Sequence, residues 1–226
     1  MVINVHGGHN PAGMIACGAA GLLNESTEDR KVKDLVINKL RSLGHTVYDC
    51  TCDNGSSQGD VLYKIVQKCN THAANLDVSI HFNAGGGRGT EVLVYSTSSA
   101  SPVNTAHNIA NSIAELGFKN RGVKTRPDLY VLSQTVAPAL LIECCFVDSQ
   151  EDYNLYNPES MANAIVKGIT GIDTKQQVQP EPSQPEQSNK LYRVQVGAFR
   201  NKANAENMVK DLKSKGYDAF IVEVEK

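Results

Sequence analysis

The stretch VKDLVINKLRSLGHTVY, residues 32–48, sets the fold class of the chain. Its apolar residues recur every three or four positions up to Leu43, which is the period of a helix with one buried face. Gly44 follows, and glycine is common just past a helix end. A β-rich run from Thr46 to Tyr48 comes next. The stretch therefore predicts a helix that leads directly into a strand.

The same alternation continues on both sides of this stretch. Apolar periodicity predicts two further helices, around residues 61–69 and 106–116. The predicted strands are residues 2–5, 46–48, 76–82, 90–95 and 139–147. This order predicts an α/β fold with a mostly parallel, twisted sheet flanked by helices. In such folds, functional residues gather at the carboxyl ends of the strands.

Composition restricts the classes of partner. The chain has 226 residues, 41% of them hydrophobic, which allows one main core and a small second module. Its 22 basic and 24 acidic residues give a net charge of -2, so we expect no nucleic-acid partner. No apolar run approaches the roughly 20 residues that cross a bilayer, so we expect no membrane insertion. Met1 leads straight into a strand-like run, which predicts synthesis in the cytoplasm without a signal peptide.

The six cysteines are expected to be free and structural, because several lie in apolar stretches. They are Cys17, Cys50, Cys52, Cys69, Cys144 and Cys145. Neither the Cys-Thr-Cys nor the Cys-Cys pair has the two-residue gap of a redox or zinc-ribbon motif. A metal site built from thiolates is therefore not expected.

A change of composition divides the chain. Residues 173–190, DTKQQVQPEPSQPEQSNK, are polar and proline-rich and predict a linker. The linker separates a main domain, residues 1–172, from a tail at residues 191–226. Within the tail, the pattern predicts a strand at residues 192–198, a helix that stops at Gly216, and a strand at residues 219–224. The tail is therefore predicted to be a short βαβ module.

Three predicted strand ends carry side chains that bind metals or transfer protons. His9 follows the first strand, His81 lies in the segment SIHFNA, and Glu143 lies in LLIECCF. Glu25, in the loop before the first helix, could fold back towards His9. Two histidines and one carboxylate form an open zinc site, in which the fourth position is left for water.

The open position matters because zinc lowers the pKa of bound water to about 7 and makes it a nucleophile. Glu143 would take the proton of the attacking water and pass it to the departing amine. The spacing contains no HExxH motif, which argues against a thermolysin-like peptidase.

Each of these residues also has a structural interpretation. His81 could be a hydrogen-bonded core residue, and Glu25 could be a carboxylate favoured by the helix dipole. Glu143 could be paired with a lysine or arginine. That interpretation is harder to sustain because the residue interrupts an apolar strand, where a carboxylate needs a charge partner or a metal.

Taken together, these segments resemble the zinc-dependent N-acetylmuramoyl-L-alanine amidases of peptidoglycan, the type 3 amidase family, over roughly residues 1–170. The matching segments are Gly8-His9, Glu25, Ser79-Ile80-His81-Phe82-Asn83-Ala84, Arg121-Gly122-Val123-Lys124, Leu129-Tyr130-Val131-Leu132, Pro138-Ala139-Leu140-Leu141-Ile142-Glu143, and Phe146 with the acidic segment Ser149 to Tyr153. The resemblance implies Zn²⁺ held by His9, Glu25 and His81, with Glu143 as catalytic acid and base. Asn10 and Asn83 are candidate substrate-binding residues.

Two positions depart from the family pattern. The common Gly-His-Gly-Gly is Gly7-Gly8-His9-Asn10 here, which makes His6 a rival ligand. Cys145 stands where the family usually has glycine, and this change should alter only packing.

The tail resembles a sporulation-related repeat (SPOR) domain, whose relatives bind peptidoglycan glycan, but it has only about half the usual length. An incomplete sheet leaves an open edge. We therefore expect the tail to pair with another chain or to dock on the main domain, unless it is a remnant without binding activity.

The resemblance implies a lysin or autolysin, phage or bacterial, that cuts the amide between N-acetylmuramic acid and L-alanine. Its expected partner is peptidoglycan, both glycan strand and stem peptide, reached at the cell wall after release or export. Two alternatives remain open at this point. One is a catalytically silent peptidoglycan-binding protein, and the other is a thiol hydrolase that uses Cys144 or Cys145.

Overall fold

The computed structural model describes residues 1–174 and 197–223. The chain divides into two compact units, residues 1–179 and 180–226. The first unit contains a six-stranded sheet in the order β2-β1-β3-β6-β4-β5. The strands are β1 (Val2–Gly7), β2 (Thr46–Asp49), β3 (Leu76–Asn83), β4 (Thr90–Val94), β5 (Asn120–Thr125) and β6 (Ala139–Phe146).

Six helices surround this sheet in the described part of the unit. They are α1 (Glu25–Ser42), α2 (Gln58–Cys69), α3 (Ala100–Ala114), α4 (Tyr130–Gln134), α5 (Gln150–Leu155) and α6 (Pro158–Thr170). The first begins where the Asn24 side chain accepts a hydrogen bond from the Thr27 amide at 3.1 Å. It ends before Gly44, whose φ of 82° is the left-handed conformation that glycine adopts readily. The predicted α/β fold is confirmed.

Among the described strands, one pair of neighbours is antiparallel and the other pairs are parallel. Strand β1 runs parallel to β2 and β3, and β3 runs parallel to β6. Strand β4 is antiparallel to β6 and parallel to β5. This reversal brings the amino-terminal ends of β4 and β5 to the edge where β1, β2, β3 and β6 end, so all six strands have one end at this edge.

Two apolar clusters cover the two faces of the sheet. The larger joins the strands to α1, α3 and α6, and the smaller joins them to α2 and α4. Leu141 of β6 and Leu93 of β4 belong to the smaller cluster. Glu143 lies two residues beyond Leu141, so strand alternation places it on the same face, past the part that these two helices cover.

The cysteines behave as small apolar residues, as expected. All six are free, and five of them are buried, with Cys17 partly exposed. Within residues 1–174 and 197–223, no helix is both long and apolar enough to cross a membrane.

The second unit contains α7 (Lys202–Ser214), which ends before Gly216 as predicted. The predicted strand at residues 219–224 is not formed over its described part, residues 219–223. A strand needs a hydrogen-bonded neighbour, and no described residue of this unit forms a ladder with that segment. The apolar side chains of this segment are accordingly exposed to solvent, and Phe220 is 72% exposed. The predicted strand at residues 192–198 and the predicted linker lie mostly outside the described residues.

Asp77, buried in β3, gives the stability of the fold a pH dependence. Its Oδ1 accepts a hydrogen bond from Asn4 Nδ2 at 2.6 Å, whereas Oδ2 has no partner among the described residues. Burial raises the pKa of Asp77 to about 6, although the hydrogen bond from Asn4 acts in the opposite direction. The folded protein therefore binds this proton more tightly than the unfolded chain, and stability falls as the pH rises from about 4 through about 6.

We expect Asp77→Asn to raise the free energy of unfolding by about 1–2 kcal/mol at pH 8 and to change it little near pH 4. The amide stays neutral at both pH values, so it removes the cost of a buried charge only where the carboxyl is ionised. Urea unfolding of both proteins at the two pH values measures the difference. An effect of the same size at both values would contradict the assignment.

Candidate metal centre

Three of the predicted site residues meet at the shared edge of the sheet. One donor atom from each of His9, Glu25 and His81 lies within 4.8 Å of the others. Glu25 Oε1 is 3.0 Å from His9 Nε2 and 3.2 Å from His81 Nδ1. The structure thus brings together two imidazole nitrogens and one carboxylate oxygen from distant parts of the sequence.

Gly8 allows the two histidines to approach each other. Its amide donates a hydrogen bond to the Ile80 carbonyl at 3.2 Å, which continues the pairing of β1 with β3 beyond the end of the strand. A Cβ atom at this position would overlap the His81 imidazole. The missing side chain of Gly8 is therefore the space that the His81 ring occupies.

Glu25 is held by the backbone on both sides of the site. Its Oε2 accepts a hydrogen bond from the Ala19 amide at 2.8 Å, and its Oε1 accepts one from the Phe82 amide at 3.1 Å. Burial by itself would raise the pKa of Glu25, but hydrogen bonds with His81 and His9 hold it well below its usual range. The carboxylate is therefore ionised, which suits a ligand better than a helix-entry residue.

Ser79 and His6 lie behind His81. The Ser79 hydroxyl is 3.0 Å from His81 Nε2 and 3.4 Å from His6 Nδ1. These contacts leave His81 Nδ1 facing Glu25, and a hydrogen bond to the second ring nitrogen fixes the orientation of a ligating histidine. His6 itself is outside this donor group, so the geometry favours His9 over the rival ligand that the glycine pattern suggested. Its pKa is lowered to about 3, mainly by burial, so it is neutral.

The donor set fits a divalent metal of the zinc type. Metal binding requires neutral imidazoles and an ionised carboxylate. Burial lowers the pKa of His81, and Glu25 is ionised, so these two side chains already have the required charges. Two nitrogens and one oxygen are the ligands of an open zinc site with one position left for water.

Glu143 stands beside this group without joining it. It pairs in register with His81 on one side and with Glu91 on the other. Its Oε2 is buried and has no hydrogen-bond partner in the described part of the chain. Burial and, to a smaller extent, the charges of Glu25 and Glu91 raise the pKa of Glu143 to about 8, although Arg126 acts in the opposite direction. A carboxylate oxygen that is buried without a partner is unfavourable for stability and is characteristic of a functional site.

Glu91 is a site residue that the sequence reasoning missed. Its carboxylate accepts hydrogen bonds from Asn83 Nδ2 at 3.2 Å, Arg121 Nε at 2.6 Å and Lys124 Nζ at 2.5 Å. Although burial opposes ionisation, Lys124 and Arg121 hold the pKa of Glu91 below its usual range. The available signal was an acidic residue inside the apolar strand TEVLV, the same signal that indicated Glu143.

The two asparagines occupy different environments. Asn10 is fully buried, and its amide group bonds to the backbone of Ile15 and Gly55. Asn10 is therefore better described as a residue that stabilises the loop after β1 than as a substrate contact. Asn83 is partly exposed beside Glu91, where its amide nitrogen is already bonded.

The adjacent thiols are unsuited to nucleophilic catalysis. Cys144 and Cys145 are both fully buried and belong to the larger apolar cluster. Burial raises the pKa of each thiol well above its usual value. Thiolates, not thiols, are the nucleophiles in such enzymes. This environment argues against the thiol-hydrolase alternative.

Comparison with known proteins gives two family matches. The family model described as N-acetylmuramoyl-L-alanine amidase, Amidase_3, matches residues 1–172, and the SPOR domain model matches residues 188–226. The solved catalytic domain of the CD27L endolysin that targets Clostridia difficile superposes with a TM-score of 0.69 at 28% identity, covering 76% of this chain and 98% of that domain.

Two curated relatives illustrate the sequence similarity. An uncharacterized protein of Clostridium perfringens is 34% identical over 192 residues, which cover 80% of this chain and 55% of the relative. A sporulation-specific N-acetylmuramoyl-L-alanine amidase of Bacillus subtilis is 33% identical over 156 residues, which cover 68% of this chain and 58% of the relative. The chain thus spans little more than half the length of either relative.

Proposed function

The chain belongs to the N-acetylmuramoyl-L-alanine amidase family, and from this we propose that it hydrolyses the amide bond between N-acetylmuramic acid and L-alanine in bacterial peptidoglycan. We propose His9, Glu25 and His81 as ligands of one Zn²⁺ and Glu143 as the catalytic acid and base. The observation that carries the proposal is the convergence of these three donors beside a carboxylate whose Oε2 is buried without a partner among the described residues.

When bound, Zn²⁺ would acidify a water molecule and polarise the scissile carbonyl oxygen. Glu143 accepts the proton of the attacking water and donates it to the L-alanine nitrogen as the amide bond breaks. Burial, which raises the pKa of Glu143, helps the carboxyl group to hold the proton between these two steps. Ser79 and His6 keep the His81 ring in one orientation, and Glu25 contributes the negative charge of the ligand set.

For the rest of the chain, we propose a catalytic domain at residues 1–172, a linker at residues 173–190 and a wall-binding segment at residues 191–226. The match of residues 188–226 to the SPOR domain supports binding of the segment to peptidoglycan glycan. Tethering would raise the local concentration of an insoluble substrate around the catalytic domain. We propose the cell wall as the place of action, reached after release or export.

The decisive experiment combines metal analysis with identification of the cleaved bond. We expect one zinc per chain and, from purified cell walls, new amino termini that are all L-alanine. Release should stop in a chelator, return with added Zn²⁺ and continue after treatment with iodoacetamide.

Other outcomes would support the alternatives. Loss of lysis to iodoacetamide alone would favour a thiol hydrolase. Binding to cell walls without any new amino termini would favour a silent binding protein. New termini other than L-alanine would contradict the proposed bond.

A further inference from the structure

A β-bulge places two basic residues on the face of the sheet that carries Glu143. Thr90 pairs with Asn120 and Val92 pairs with Val123, so two residues of β5 lie opposite Glu91 alone. One of the two is Gly122, whose φ of 80° is the left-handed conformation that suits such bulges.

The bulge changes where the basic side chains point. In a regular strand, residues three positions apart lie on opposite faces. Here Arg121 and Lys124 are three apart, and both nevertheless bond to the same oxygen of Glu91, at 2.6 and 2.5 Å. The bulge therefore assembles a cationic patch, consisting of Arg121 and Lys124, two strands away from Glu143 and separated from it by β4.

The cationic patch carries more positive charge than Glu91 neutralises and more hydrogen-bond donors than are bonded to Glu91. Two cations face one carboxylate, which leaves one positive charge in excess. In residues 1–174 and 197–223, no acceptor bonds to the terminal nitrogens of Arg121, and Glu91 is the one acceptor bonded to Lys124. The two side chains are 28% and 44% exposed, so these donors are accessible.

The guanidinium of Arg121 is also fixed in position. Its central carbon lies 5.0 Å from the centroid of the Phe146 ring, in a cation–π contact. An arginine held in this way presents its planar donors at low entropic cost, and planar paired donors match a carboxylate.

We propose that the cationic patch binds a free carboxylate on the stem-peptide residue that follows L-alanine, so that the enzyme prefers stems with a carboxylate there over stems with a carboxamide. This inference rests on the proposed function. Neighbouring strands are about 4.8 Å apart, so β5 lies about 10 Å from β6. Two residues of extended peptide span about 7 Å of this distance, and the length of the Arg121 or Lys124 side chain covers the rest. With Glu143 at the scissile amide, the next residue of the stem thus reaches the patch.

A carboxamide would bind less well for two reasons. It carries no charge to offset the excess positive charge of the patch. Its NH₂ group is also a donor, so it would face the donors of Arg121 and Lys124 and leave some of them unpaired.

The test uses two N-acetylmuramoyl tripeptides that differ only in a carboxylate or a carboxamide on the residue after L-alanine. Dissociation constants are measured on the zinc-loaded 226-residue chain carrying Glu143→Gln, so that turnover does not consume the ligand. We expect binding of the carboxylate form to be about tenfold tighter. In that background, Lys124→Met should abolish the difference and Lys124→Arg should retain it.

Lys167→Met is the matched control, because Lys167 also donates to a single glutamate, Glu115, at 2.6 Å but lies on α6. It should leave the difference between the two ligands unchanged. Equal affinities for the two tripeptides, no binding of either, or a difference that survives Lys124→Met would overturn the inference. Cleavage of either tripeptide by the native chain tests the proposed function separately, because amidase activity does not require a preference for the carboxylate over the carboxamide.

Discussion

Glu143→Gln is expected to bind zinc as tightly as the native chain and to lose about 10²- to 10⁴-fold in kcat. The glutamine amide has nearly the shape of the carboxyl group but can neither accept the proton of water nor return it to the leaving nitrogen. Zinc affinity should be preserved because Glu143 is outside the group of three donor atoms. Release of L-alanine amino termini from cell walls measures the rate, and metal titration measures the affinity.

Two controls distinguish a chemical role from a structural one. Oε2 of Glu143 has no partner among the described residues, which is unfavourable in the fold, so the amide variant should unfold at the same temperature as the native chain or higher. Glu115→Gln changes an exposed glutamate that pairs with Lys167, and it should leave kcat unchanged. Nearly full turnover by Glu143→Gln would refute the assigned role, and loss of zinc would show that Glu143 is a ligand.

The sequence predicts the sheet well where alternation and periodicity are regular. Strand β5 is not predicted, because Arg121, Gly122 and Lys124 break the alternation at the bulge. The pattern also does not specify that β4 reverses direction, since a strand reads the same in either orientation. Helix α6, by contrast, is not predicted although its start has clear signals in the sequence, with Asn157 as its cap and Pro158 in its first turn.

The residues of the candidate site likewise fall into those that the sequence predicts and those that it does not. His9, His81 and Glu143 are predictable as neighbours because they lie at ends of strands that share one edge. Glu25 is predictable only as a loop residue near that edge. The pairing of Glu91 with Arg121 and Lys124 depends on the reversal of β4 and on the bulge, so periodicity does not reveal it. The burial of Asn10 depends on contacts with Gly55, 45 positions away.

Gly8 offers a way to disturb the metal centre without changing any ligand. Alanine at this position is free of backbone strain, since Gly8 is not among the glycines with positive φ. The added Cβ would nevertheless occupy the place of the His81 ring. The ring is the end of a side chain and can rotate away, so the fold should survive while the donor atom moves. The expected effect is therefore on the metal and not on the stability.

We expect Gly8→Ala to weaken zinc binding roughly tenfold to a hundredfold, the loss typical when the orientation of a ligand is disturbed. Hydrolysis of cell walls should fall in proportion at limiting zinc and recover partly at high zinc, which separates this variant from Glu143→Gln. The matched control is Gly59→Ala on α2, where the nearest atom to an added Cβ is Ser57 Oγ at 4.0 Å. Competition with a zinc chelator measures affinity, and thermal unfolding of the metal-free proteins measures stability. Unchanged affinity in Gly8→Ala would mean that His81 is not a ligand, because the ring cannot keep its position once the Cβ is present.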